Sequence, residues 1–129
     1  MKYSLILLTA LLLGGCAAQS ATPSDKATYR QISMEEAVTM MAEETDYIIL
    51  DVRRADEFAA GHIPGAINIA NESIGTAEIP ELPDKDQLIL VYCRSGNRSK
   101  QASQKLADLG YTNIVEFGGI LDWPGEIEK

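Results

Sequence analysis

The apolar run LILVY, residues 88–92, ends at Cys93, and RSGNRS follows before a helical pattern begins. A thiol at such a junction is placed to be ionised. Unpaired amides at a helix N-terminus, together with the helix dipole, favour an anion there. The same field lowers the pKa of a cysteine and makes it a nucleophile. Gly96 permits a tight loop whose amides turn inward as a nest. Arg94 and Arg98 add fixed positive charge suited to an oxyanion. Ser95 and Asn97 offer side-chain hydrogen bonds, either to a ligand in this loop or to solvent. The competing reading of Cys93 is a small buried hydrophobe.

Several elements must position this loop. YIILDVR (47–53) and LILVY are continuous apolar runs of the kind found in strands covered on both faces. Tyr29–Ile32 reads as a short first strand. Ser33 and Glu36 form an S-x-x-E capping box, and Met34, Ala37, Val38 and Met41 carry helical spacing, which predicts a helix over 34–44. ADEFAAG (55–61) predicts a short helix closed by Gly61, and HIPGAINI (62–69) a turn at Pro64-Gly65 with a brief strand after it. The stretch 71–87 reads as a loop with one helical turn. Ala102, Leu106 and Leu109 lie at i, i+4 and i+7, which predicts a helix over 98–109 that stops at Gly110. NIVEF gives a last strand, and Gly118-Gly119 a turn into a short terminal helix. Strands alternating with helices imply an α/β fold: a small, mostly parallel sheet of about five strands flanked by helices.

Ligands of such sheets bind beyond the carboxyl ends of the strands. Cys93 and Asp51-Val52-Arg53 both sit at such ends, so Arg53 is a candidate substrate contact, with an internal salt bridge to Asp51 as its competing role. His62, the only histidine, sits in GHIPGA, where fixing a turn competes with serving as a base. Trp123 reads as a packing anchor behind the glycine pair, and Met34, Met40 and Met41 as core.

The chain has 129 residues, 46% hydrophobic and 23% charged, enough for one domain with a real core. A net charge of −8 repels phosphate backbones and argues against nucleic-acid partners. Residues 1–15 stand apart from the fold. Their apolar run from Leu5 to Leu13 is too short for a membrane span of roughly 20 residues, and reads as a signal peptide. LLGGC (12–16) resembles the bacterial lipobox, which implies a lipid on Cys16. Ordinary cleavage within AAQSA and an uncleaved anchor are the other outcomes. The small polar stretch after Cys16 reads as a tether, so that 16–28 links the membrane to a domain at 29–129. Ala17, where a retained lipoprotein resembles one carrying aspartate, implies an exported cell-envelope protein in the outer membrane, facing the periplasm. Lipidated Cys16 leaves Cys93 without a disulfide partner in the chain. One remaining cysteine and one histidine make no usual zinc site, so no metal and no cofactor are expected. A single small domain makes a monomer the expectation.

Three separated segments, DVRRADEFAAGHIPGAINI, CRSGNRS and GYTNIVEFGGILDW, resemble the rhodanese domain family, over a span from about Tyr29 to the C-terminus. The resemblance implies a parallel α/β sheet and sulfur transfer through a persulfide on Cys93. Family members with a six-residue active loop are similar to sulfurtransferases, while seven-residue loops belong to phosphatases and arsenate reductases. Cys93 through Arg98 is six residues. The implied substrates are a small oxyanion donor such as thiosulfate and an acceptor that is cyanide or a thiol. In that scheme loop amides stabilise the persulfide, while Arg94 and Arg98 hold the donor's oxyanion end. A non-enzymatic persulfide carrier or redox sensor is the second reading, and phosphatase or arsenate reductase chemistry the third.

Overall fold

Side chains of a strand point alternately to its two faces, and in this protein that alternation divides the core. The computed structural model describes residues 27–129; the leader at 1–15, the lipidation site expected at Cys16 and most of the tether lie outside the described residues. Five strands, β1 (Arg30–Gln31), β2 (Tyr47–Asp51), β3 (Ile67–Asn68), β4 (Leu88–Cys93) and β5 (Ile114–Gly119), form one sheet in the order β1-β5-β4-β2-β3. All pairings are parallel. Helices α1 (Met34–Glu43), α2 (Ala55–Ala60) and α3 (Asn97–Asp108) cover the sheet. Along β4, Ile89, Val91 and Cys93 join Ala102 and Leu106 of α3 in one apolar cluster. Leu90 and Tyr92 join Ala37 of α1 and Phe58 of α2 in the other. This two-sided burial is why β2 and β4 read as unbroken apolar runs. It also puts the Cys93 sulfur on the face that α3 covers.

Local signals act where expected. The Ser33 hydroxyl accepts from the Glu36 amide at 3.0 Å, and the Ser33 amide donates to the Glu36 carboxylate at 2.9 Å, which starts α1. Gly61 ends α2, where a Cβ would meet Ile127 Cγ2 at 2.8 Å. The loop at 71–87 holds one 3-10 turn, Asn71–Ser73, and is tied to the core by Ile74, Ile79 and Leu82. Met34, Met40 and Met41 pack against the α1 side of the core.

Two expectations need correction. The strand expected through Arg53 ends at Asp51. Gly118 and Gly119 do not form a turn but complete β5, and the terminal helix is one 3-10 turn, Ile120–Asp122. The cause is a register shift between β4 and β5 at Val91/Cys93 that pairs Cys93 with Gly119. Gly118, at φ +101°, takes up the irregularity with a backbone conformation open to glycine.

A buried polar knot joins the ends of β2 and β4. The Tyr92 hydroxyl donates to Asp51 Oδ2 at 2.7 Å and accepts from the Ile63 amide at 3.0 Å. Burial and the Asp51 carboxylate both raise the Tyr92 hydroxyl well above its ordinary pKa. Tyr92→Phe removes this hydroxyl and leaves both partners short of a bond, so urea unfolding should show a loss of about 1–3 kcal/mol. An unchanged midpoint would show that the knot contributes nothing.

Candidate active site

Cys93 ends β4 and Asn97 begins α3, so a three-residue link must reverse the chain while aiming its amides back at the sulfur. Gly96 makes this feasible. It sits at φ +115°, the left-handed region, and its amide donates to Cys93 Sγ at 3.0 Å. The sulfur is buried, Cys93 being 1% exposed, and its thiol lies 3.5 Å from the Ser99 hydroxyl. Burial raises the Cys93 pKa, but hydrogen bonds from the Ser99 hydroxyl and from the amides of Ser99, Gly96 and Ser95 outweigh it and leave the thiol below its ordinary value. The loop rests on the glycine pair of β5. A Cβ at Gly119 would stand 2.0 Å from the Arg94 carbonyl oxygen, which also accepts from the Leu121 amide at 3.3 Å. Only a bare backbone fits beneath the loop at Gly119.

The loop's charges are not equally available. Arg94 is exposed, as are Ser95 and Asn97, and Arg94 has no ion-pair partner among the described residues. Arg98 is held by Glu57 of α2 through two bonds, Nη1–Oε1 at 2.7 Å and Nη2–Oε2 at 3.1 Å. An anion approaching Arg98 must compete with that carboxylate. Arg53 turns inward: it is 6% exposed and donates to Asp51 Oδ2 at 2.6 Å and to the Gly61 carbonyl at 2.7 Å, which is the internal salt bridge expected as its competing role. His62 stacks on Phe58 with ring centroids 3.8 Å apart. Its Nδ1 meets the Phe58 carbonyl at 3.0 Å and its Nε2 meets Glu128 at 3.3 Å, so it ties α2 to the C-terminal segment. Trp123 packs against the α1-side cluster and donates to the Glu126 carbonyl at 3.0 Å.

Sequence reading missed three residues here: Glu57, Ser99 and Glu116. Glu57 lies 41 positions from Arg98, and no local pattern couples them. Ser99 follows Arg98 directly but points inward only because α3 turns it under the loop. Glu116 did leave a signal, as the one charge inside the apolar run NIVEF. It is 2% exposed, and its Oε2 accepts from the Ser99 hydroxyl at 2.5 Å and from the Gly118 amide at 3.0 Å.

The rhodanese-like domain family matches residues 33–126. The chain is 36% identical over 73 residues to thiosulfate sulfurtransferase PspE of Escherichia coli strain K12, covering 57% of this chain and 70% of that one. It is 35% identical over 103 residues to thiosulfate sulfurtransferase GlpE of Pseudomonas entomophila strain L48, covering 76% and 91%. Among solved structures, the human single-domain sulfurtransferase TSTD1 superposes with a TM-score of 0.64 at 27% identity, covering 72% of this chain and 93% of that one.

Glu57 gives this site an acid signature. Hydrogen bonding to Arg98 comes first among the causes that lower its pKa, from 4.5 to about 2, against a smaller opposing effect of burial. A depressed carboxyl contributes stability that is present above about 4.5 and lost as pH falls through about 2. Glu57→Gln should therefore be less stable than the unaltered chain at neutral pH. The gap should close between about pH 4.5 and 2 in urea titrations at each pH. A gap independent of pH would refute the pairing.

Proposed function

Because the chain belongs to the rhodanese-like domain family, we propose that it is a sulfurtransferase that moves a sulfane sulfur from thiosulfate, through Cys93, to cyanide or a thiol. The observation that carries this reading is the Cys93 sulfur, buried and facing the Gly96 amide at 3.0 Å, at the head of a six-residue loop that ends in Arg98. Relatives named as thiosulfate sulfurtransferases support the same chemistry.

In the first half-reaction the Cys93 thiolate attacks the outer sulfur of thiosulfate. The new S–S bond forms as the sulfur–sulfur bond of thiosulfate breaks, and sulfite leaves with the electron pair. The charge on the resulting persulfide sits on its outer sulfur, where inward-turned amides compensate it. Arg94 supplies the exposed positive charge that meets the sulfonate end, and Arg98 contributes to the extent that the donor displaces Glu57. In the second half-reaction cyanide or a thiolate attacks the outer sulfur and the Cys93 thiolate is regenerated. No metal or cofactor enters either step. The loop length supports sulfur chemistry over phosphoryl or arsenate chemistry, since the six-residue Cys93–Arg98 cradle is one residue tighter.

The same reading includes a lipid on Cys16 that anchors the domain, as a monomer, to the outer membrane on its periplasmic side. The lipobox-like LLGGC supports this. Incubation with thiosulfate and cyanide should yield thiocyanate, and Cys93→Ser should reduce turnover to background. Intact mass of the thiosulfate-treated chain should show one added sulfur that this variant lacks. Retained turnover in Cys93→Ser would overturn the mechanism. Expression of the full chain with labelled fatty acid should give label that Cys16→Ser abolishes, and an unlabelled parent chain would overturn the anchor.

A further inference from the structure

Of the two arginines in the active loop, Arg98 alone is already engaged. Glu57 of α2 accepts from its Nη1 at 2.7 Å and from its Nη2 at 3.1 Å, a bidentate pair. A guanidinium offers the same planar fork to a carboxylate and to an oxyanion. The sulfonate oxygens of a donor therefore need the two nitrogens that Glu57 occupies. Arg98 is within reach of the sulfur, since the charges of Cys93 and Glu57 both act on it. The pair is also open to solvent, with 29% of the Arg98 side chain and 16% of the Glu57 side chain exposed.

Glu57 has a second partner on its own helix. Its Oε1 accepts from the Arg54 amide at 3.0 Å, in the capping box of α2. Arg54 Nη1 stands 3.8 Å from the same oxygen. Arg54 Nε and Nη2 are bound to Asp56 at 3.0 and 3.1 Å, which holds the guanidinium beside the Glu57 carboxylate. When Arg98 leaves, Glu57 keeps an amide donor and a neighbouring cation. It does not become an uncompensated charge, the outcome that makes breaking a pair costly.

We infer that Glu57 is a specificity-determining residue: it occupies Arg98 in the free protein and yields it to a donor that presents two oxygens, while Arg54 takes over the carboxylate. This deepens the sulfurtransferase reading and rests on it for the class of donor. Exchange breaks two hydrogen bonds from Arg98 to Glu57 and forms two to the donor, so none is lost at the guanidinium. An anion that presents a single oxygen does not offset the loss of a bidentate pair, and is rejected. A sulfane donor without an oxyanion end, such as an alkyl persulfide, bypasses Arg98 and is indifferent to Glu57. The other charges on this pair are Asp56, which acts on Arg54, and Glu72, which acts on Arg98.

Sulfate binding, measured by calorimetry at neutral pH and fixed ionic strength, probes the exchange with no sulfur transferred. Its outcome therefore separates from that of the thiocyanate assay. Glu57→Gln keeps an acceptor for the Arg54 amide but removes the charge that holds Arg98. It should bind sulfate about fivefold more tightly, the factor that a well-aligned, partly exposed pair commands. The ratio of kcat/KM for thiosulfate to that for hydroxyethyl persulfide should rise by the same factor. Sulfate affinity equal to or below that of the unaltered chain would overturn the inference, as would an equal gain with both donors. In the unaltered chain, the NMR resonance of the Glu57 carboxyl should titrate at about 2. Saturation with sulfate should move that midpoint upward, because the Arg98 hydrogen bonds are the first cause of its depression. Arg54→Gln should enlarge the upward movement. A midpoint that sulfate leaves in place, or moves equally in Arg54→Gln, overturns the inference regardless of how Glu57→Gln folds.

Discussion

Amide donors held against a sulfur only 1% exposed are the constraint on which this structure depends. Burial alone would keep Cys93 protonated, as desolvation does to any thiol. What opposes burial and lowers the pKa is a set of donors that cannot turn away: the Gly96 amide, its neighbours in the loop, and the first turn of α3. They are fixed because the loop is short, because Gly96 adopts a left-handed conformation, and because Gly119 lets the Arg94 carbonyl settle on bare backbone. The shift of β5 against β4 supplies that support, pairing Gly119 beside Cys93. A feature that looks like an irregularity of the sheet is what seats Cys93 and its loop.

The carboxylates around the loop divide by how they are compensated. Asp51 has Arg53 and Tyr92, and the three close the end of β2 onto β4. Glu57 has Arg98 and joins α2 to α3 across the mouth of the site. The first ion pair is local to the end of β2, and the second joins two separate helices. Glu116 has a hydroxyl and an amide in place of a cation. With Arg98 held by Glu57, the local excess of positive charge at Arg94 and Arg98 is modest, and the amides are the donors that face the sulfur most directly.

Local sequence carried much of the fold. The capping box at Ser33 and Glu36, the apolar runs of β2 and β4, and the spacing of Ala102 and Leu106 each depend on residues close in the chain, and each formed where its pattern lay. The glycine pair was misread because glycines signal a turn by default. Only the pairing of β5 with β4 reveals that Gly118 absorbs a register shift and that Gly119 accommodates a carbonyl.

The sequence by itself determined the placement of Cys93 and its loop, since Cys93, Gly96 and the start of α3 are contiguous and the helix dipole follows from their order. It determined the parallel α/β class for the same reason, because periodicity is a local property. The tertiary structure decided which charges remain free. Arg98 went to Glu57 across 41 residues, and Ser99 met Glu116 across 17. Such pairings depend on which faces of separate elements are brought together, and that is set by sheet order and register, which no stretch of contiguous residues encodes.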